Sequence, residues 1–490
     1  MSNPIKKLLG QTAIYGLPSI IGRLLNFLLV PIYIAVFADE KDYGVVSSLY
    51  AWVAFLVVLL SFGMETAFFR FLQNKDDKNL VFANSFLTVI GINTIFFLLI
   101  LFFNQSLADA LLITENPEFI ILLGAIVCID ATSSLPLAKL RAEEKALKFA
   151  TIQSISILIN IGLNLYLMLF VFNKERPEEG VLFILSANLF SSLVKPVFLY
   201  KDFINIKYKF DTRLAREMII YALPLMIGGL AGIVNETIDR ILLVNILYDG
   251  VHEASLDNAN KEVGIYSACY KLSMLVTILI QAYRYAAEPF FFAQLKNEDK
   301  NKIYSKVMNY FVAAVCAVFL LVSLNIDLIK IFFIPNDDYW VGLKVVPILL
   351  LANVFLGVYF NQSIWYKLSN QTKFGAYIAI AGAILTITIN VVFIPTYGYM
   401  ASAWATLLVY AFQMVVSYLL GQKYYPIKYN LRKFFLYLGM AILLFYIAGI
   451  FSFEEGSFVK IVVNNLIILG YVYMVWYLEK PMQKSTAENA

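Results

Sequence analysis

The residues of this sequence that could do chemistry are ionisable side chains set inside long apolar stretches. A charge at mid-bilayer depth costs at least ~2.5–3.5 kcal/mol on insertion scales, so it faces either a partner or an aqueous cavity. Arg23 and Lys271 lie near the middle of their stretches with no acid three or four residues away, and both suit an anionic ligand. The plain alternative is that each bridges to a buried acid, Asp130 being an obvious one. Arg284 is a third such cation, but Glu288 follows it by one turn; Glu236 and Arg240 repeat that spacing with Asp239 beside them. Pairs of this kind largely neutralise themselves. Asp130, Asp239 and Glu65 are candidates for carrying a coupling proton or coordinating a sodium ion. A carboxylate in low dielectric titrates upward, and its oxygens suit a hard cation. Structural pairing is the alternative, for Asp239 with Arg240 especially. Asn160 and Asn164, one turn apart, read as interhelical hydrogen-bond glue.

The elements that must position these groups are membrane helices. Apolar residues make up 60% of the 490 and charged residues only 15%, against about a quarter charged in a soluble globule. The apolar residues fall in fourteen blocks, near 11–37, 43–69, 80–103, 118–138, 149–172, 180–200, 217–247, 262–292, 307–327, 341–366, 374–395, 398–420, 434–451 and 458–478. About twenty residues suffice to cross a ~30 Å hydrocarbon core. Aromatic residues gather at block ends, as with Tyr424 and Tyr425 or Tyr473 and Trp476, in the manner of interface belts. Lys and Arg alternate between loops: 27 lie on one side and 7 on the other, with Lys195 counted among the 27. The basic side is cytoplasmic, which puts both termini there. The start, Lys6 and Lys7 followed by a long stretch with Pro18 and Arg23, reads as a retained first helix rather than a cleaved leader.

The chain also repeats itself. Ile14-Tyr15-Gly16-Leu17-Pro18 and Ile21-Gly22 match Ile220-Tyr221-Ala222-Leu223-Pro224 and Ile227-Gly228 at a constant offset of 206. Gly44, Ser47 and Tyr50 open the second block as Gly264, Ser267 and Tyr270 open the eighth. The repeat divides the chain into an N-terminal lobe (1–210), a C-terminal lobe (211–425) and two appended helices with a tail (426–490). Six helices per half make the repeat parallel, about an axis along the membrane normal; transporters built this way bind substrate between the halves and rock one against the other. The expected fold is an all-α polytopic membrane protein. Pro18 and Pro224 each remove a backbone hydrogen bond, so both first helices should bend.

Other chemistries find little footing. Cys128, Cys269 and Cys316 lie inside apolar blocks and suggest neither disulfides nor a metal cluster. The single histidine, His252, reads as a loop residue. No G-x-x-x-x-G-K-[ST] phosphate loop occurs, which argues against an ATP-driven pump. Asp337-Asp338 beside Trp340 resembles a metal site only faintly, and no outer loop is long enough to house a glycan enzyme's site. The reading is therefore a non-enzyme without cofactor or nucleic-acid partner.

The motifs themselves resemble a family. Tyr15-Gly-Leu-Pro, Gly22-Arg23, Asp42-Tyr43-Gly44, Leu140-Arg141-Ala142-Glu143-Glu144-Lys145, Asp239-Arg240, Val263-Gly264-Ile265-Tyr266, Ala287-Glu288-Pro289-Phe290 and Ile394-Pro395-Thr396-Tyr397-Gly398-Tyr399 are similar to the polysaccharide (O-antigen type) flippases. The wider superfamily includes the lipid II flippases and the multidrug and toxin extrusion pumps, the alternatives for function. The resemblance implies an inner-membrane carrier of undecaprenyl-diphosphate-linked oligosaccharide, with membrane lipids and a coupling H⁺ or Na⁺ as further partners. On that footing Arg23 and Lys271, one per half, would grip the diphosphate from two sides, with Arg284 a further candidate.

Overall fold

The computed structural model describes residues 21–479 apart from 23, 75–76, 205–208, 294–297, 370, 452 and 455, and apart from the side chains of 74, 202, 285, 286, 288, 289, 292 and 293. Pro18 and Arg23 lie outside the described residues, as does the side chain of Glu288. The described chain is helical throughout. In order the helices are α1 (Leu24–Val36), α2 (Glu40–Ser61), α3 (Met64–Asn74), α4 (Lys78–Ala110), α5 (Pro117–Ala142), α6 (Ala146–Tyr166), α7 (Pro177–Ile204), α8 (Thr212–Leu247) and α9 (Glu253–Ala293). There follow α10 (Lys300–Leu324), α11 (Ile326–Phe333), α12 (Val346–Gln362), α13 (Ile364–Leu368), α14 (Lys373–Tyr397), α15 (Tyr399–Tyr424), α16 (Leu431–Ile450) and α17 (Phe458–Glu479). Thirteen stretches among the described residues are long and apolar enough to span a bilayer, and α1 adds a shorter apolar helix. The chain is a multi-pass membrane protein.

Local chemistry sets where the helices start. Asp39, Asp77, Asp211 and Asn430 each accept a hydrogen bond from a first-turn N–H of α2, α4, α8 and α16, satisfying donors that have no intrahelical partner. The second span is broken at Phe62 and Gly63, both with φ in the left-handed region (53° and 63°). There Gly63 meets α8: a Cβ on it would lie 2.9 Å from the carbonyl oxygen of Ala222. The break thus sits over the turn that carries Pro224, while α8 itself runs through that proline as one helix.

Within the first six spans α4 packs on α5, α6 on α7 and α5 on α7; within the next six α14 packs on α8 and α15, and α12 on α15 and α9. Helix α2 crosses between the two groups and packs on both α8 and α9. Helices α16 and α17 lie against α10. Lys460 bridges to Asp327 at 2.6 Å, and Glu479 accepts hydrogen bonds from Lys433 (2.7 Å) and Tyr437 (2.6 Å).

The α2–α9 crossing is the tightest contact between the two groups of helices. Association in a bilayer lacks a hydrophobic drive and depends on close packing of small residues. A Cβ on Gly44 would lie 1.8 Å from the carbonyl oxygen of Asn260, and one on Gly264 would lie 2.0 Å from that of Glu40. Only glycine fits at either position. Lys41 bridges to Asp257 at 2.7 Å and Lys261 to Glu40 at 3.0 Å around the same crossing, and the rings of Tyr43 and Tyr339 meet edge to face.

An alanine at Gly44 or Gly264 should therefore force the crossing apart. Overpacking by a methyl costs about 1–3 kcal/mol, so the ratio of crossed to separated helices should fall roughly fivefold or more. Cysteines replacing Lys41 and Asp257, in a background without the native cysteines, should react readily with a short thiol cross-linker. The added Gly44→Ala change should slow that reaction. Equal rates with and without it would show that the seal does not depend on this contact.

Candidate functional site

Directly beneath the crossing, α1, α2, α6 and α7 face α8 and α9 across a cavity of about 350 Å³. The two walls differ in character. The first six spans contribute Asn26, Tyr33, Ser47, Tyr50, Asn160 and Asn188, all neutral and polar, with apolar residues between. The Tyr33 hydroxyl donates to Asn164 Oδ1 (2.8 Å), Asn164 Nδ2 to Asn160 Oδ1 (2.9 Å) and Asn160 Nδ2 to Asn26 Oδ1 (3.3 Å). Asn188 Nδ2 donates to the Tyr50 hydroxyl at 2.9 Å. Asn160 and Asn164 do glue helices, and Asn160 also reaches the cavity.

Among the described residues, every charged group lining the cavity comes from α8 and α9: Glu236, Arg240 and Lys271. Arg240 is buried and held from several sides. Its Nη1 donates to Asp239 Oδ1 (2.8 Å) and to the backbone carbonyl of Glu236 (3.0 Å), and its guanidinium lies over the Tyr270 ring (4.3 Å). Asp239 Oδ2 accepts from the Tyr266 hydroxyl at 2.6 Å. Of the two acids the sequence offers Arg240, the structure pairs it with Asp239, as the structural alternative expects, and gives it only the backbone oxygen of Glu236. Lys271 is half-buried in the wall, and no carboxylate among the described residues lies within ion-pair distance of it. Lys271 is therefore the cation of the cavity not already tied to a neighbouring acid.

The other candidates lie elsewhere. Arg284, further along α9, stacks over Phe360 at 4.1 Å beside a separate recess of only about 20 Å³. Asp130 on α5 accepts from Lys195 Nζ on α7 at 2.7 Å. A bridge from Arg23 to Asp130 falls outside the described residues, and Lys195 sits within a span rather than in the loop it was counted with. That lysine was missed although it falls inside the sixth apolar block, which is the signal that could have found it. Glu65 pairs with Arg141 at 2.7 Å, across α3 and α5. Asp337 and Asp338 begin a short 3₁₀ turn whose Asp338 N–H is capped by Asn336, and no group of metal-ligating side chains occurs among the described residues. His252 caps its own loop: its backbone N–H, its ring and the Val251 N–H hold the Asp249 carboxyl well below the usual carboxylate range.

The model of the family described as "Polysaccharide biosynthesis protein" matches residues 8–295. The Lsg locus protein 1 of Haemophilus influenzae is 22% identical over 417 residues, covering 81% of this chain and 95% of that protein. The fold is similar to a solved structure of the lipid II flippase MurJ in an inward closed conformation (TM-score 0.72, 15% identity, 94% of this chain and 98% of that one). It is also similar to an inward-facing multidrug resistance MATE family transporter of the MOP superfamily (TM-score 0.65, 15% identity, 84% and 97%).

The Asp130–Lys195 pair has a measurable consequence. The two side chains keep 27% and 17% exposure, so removing one partner should cost roughly 1–3 kcal/mol, below the ~3–5 kcal/mol of a fully buried pair. Asp130→Asn should lower thermal stability, and Lys195→Met added to it should recover most of the loss. Strictly additive losses in the double variant would show that the pair is not coupled.

Proposed function

The chain belongs to the polysaccharide biosynthesis protein family, and from that premise we propose that it is a flippase. It moves undecaprenyl-diphosphate-linked oligosaccharide across the inner membrane by alternating access between a lobe of residues 1–210 and a lobe of residues 211–425, with 426–490 appended. The observation that carries this reading is the division of labour in the cavity. A neutral wall of asparagine and tyrosine suits sugar hydroxyls and ring faces, and it stands opposite a wall that offers Lys271 and the braced Arg240 to an anion. Glu236 lines the same wall, so these cations stand beside one carboxylate. Lipid II also presents a diphosphate and is the second reading, supported by the likeness to the MurJ fold. The distribution of Lys and Arg, 26 to 7 once Lys195 is set aside, supports cytoplasmic termini, and Asp130, Asp239 and Glu65 are the candidates for coupling to H⁺ or Na⁺.

Lys271→Ala should abolish transport while leaving the protein inserted and folded, and Lys271→Arg should be milder, since another cation replaces it. Arg23→Lys should fail substantially if Arg23 grips phosphate as a fork. The readout is accumulation of lipid-linked oligosaccharide in the cytoplasmic leaflet. Wild-type surface glycan in the Lys271→Ala strain would overturn the substrate role.

Deletion of the gene should strand lipid-linked oligosaccharide without changing sensitivity to cationic dyes. A viable deletion lacking surface polysaccharide excludes a role as the sole lipid II carrier. Dye hypersensitivity with normal glycan would favour a drug pump.

A further inference from the structure

The hydrogen bonds of the neutral wall run in one direction, and a backbone group sets it. Asn164 Nδ2 donates to the carbonyl oxygen of Asn160 at 2.8 Å. A carbonyl only accepts, so the Asn164 amide is fixed with its nitrogen toward Asn160 and its Oδ1 toward the Tyr33 hydroxyl. The same nitrogen meets the Asn160 side chain at 2.9 Å. Asn160 must therefore offer Oδ1 there and turn its Nδ2 to Asn26, which answers with Oδ1 at 3.3 Å. What remains on Asn26 is Nδ2, a group that donates and cannot accept. Asn26 is exposed and lines the cavity, and its Nδ2 has no acceptor among the described residues. Tyr33 and Asn164, at the other end of the ladder, are buried and hold it from behind.

A sugar hydroxyl both donates and accepts, so either orientation of the Asn26 amide would suit it. A carbonyl oxygen only accepts, and this orientation alone matches it. A uronic acid carboxylate also only accepts, but the cavity's cations stand on the opposite wall, so the neutral end of the ladder fits an uncharged carbonyl. We propose that the sugar next to the diphosphate carries an N-acyl group whose carbonyl oxygen accepts from Asn26 Nδ2. Leu29 and Val30 follow Asn26 by one turn of α1 and also line the cavity, giving the acyl methyl an apolar neighbour. Asn26 is then a specificity-determining residue, and Asn160 and Asn164 position it. The inference rests on the flippase reading, since it takes the diphosphate to lie on the wall of Lys271 and Arg240.

The test is the affinity of the full-length protein in detergent for two probes, farnesyl-diphosphate-linked N-acetylglucosamine and farnesyl-diphosphate-linked glucose. They differ only in an acetamido group replacing a hydroxyl. The wild type should bind the acetamido probe about three- to tenfold tighter, the contribution of one neutral hydrogen bond. Asn26→Leu should bring the ratio to about one. Asn160→Asp should reverse it: a carboxylate only accepts, so Asn26 must turn Nδ2 toward it and present Oδ1 to the donating hydroxyl of glucose. A ratio of two affinities on one protein does not move with the folded fraction, so damage to folding cannot mimic the reversal. Equal affinities in the wild type, or a preference kept in Asn26→Leu, would overturn the inference and leave the flippase reading standing. Binding of neither probe would defeat the flippase reading and this inference with it. A glucuronosyl probe held tighter still, with its advantage lost in Asn26→Leu, would give the donor to a carboxylate and overturn the N-acyl assignment.

Discussion

Everything between the two groups of six spans is organised by one steric constraint, the contact of bare backbone at Gly44 and Gly264. With Cβ positions 1.8 and 2.0 Å from facing carbonyl oxygens, no side chain can stand between α2 and α9 at that level. The helices are forced together there, and the cavity is lined by the turns that follow on both, Ser47 and Tyr50 on α2 and Ser267 and Tyr270 on α9. The ion pairs of Lys41 with Asp257 and Lys261 with Glu40 then stand at the mouth of a joint already closed by shape. The half-exposed Lys41–Asp257 pair adds little cohesion, while Glu40 of the other pair is buried. Their larger contribution is to fix which residues face one another.

Below the seal, charge is distributed with economy suited to a low-dielectric medium. Arg240 is compensated by Asp239, which is itself held by Tyr266, so the group can stay charged and oriented with no ligand present. Asp130 and Lys195 compensate each other away from the cavity, as do Glu65 and Arg141. Lys271 departs from this pattern by having no acid bridged to it among the described residues. A cation left unbridged in a polar cavity is available to something that arrives, and this separates it from the paired charges more sharply than its depth does.

Much of this was legible in the sequence because the membrane permits so few solutions. Block length and hydropathy suffice to read the spans, and the Gly44 and Gly264 motifs recur because both copies perform the same crossing. The partners of the charges were legible only in part: Asp239 stands next to Arg240 in sequence and does pair with it, whereas partners distant in sequence were not legible. Lys195 and Asp130 lie 65 residues apart, and only the packing of α5 on α7 brings them together.

The crossing also has the geometry of an isologous interface, in which the same patch meets itself about a two-fold axis. Gly44 faces the carbonyl four residues before Gly264, and Gly264 faces the carbonyl four residues before Gly44. Such a joint would serve two copies of a half-length chain as well as one fused chain. In a homodimer any substitution strikes both walls of the cavity at once, so a charged wall can never face a neutral one. Covalent fusion lifts that restriction while leaving the joint symmetric. The opposition of asparagine and tyrosine on one side to lysine and arginine on the other is a polarity that two identical half-length chains could not encode.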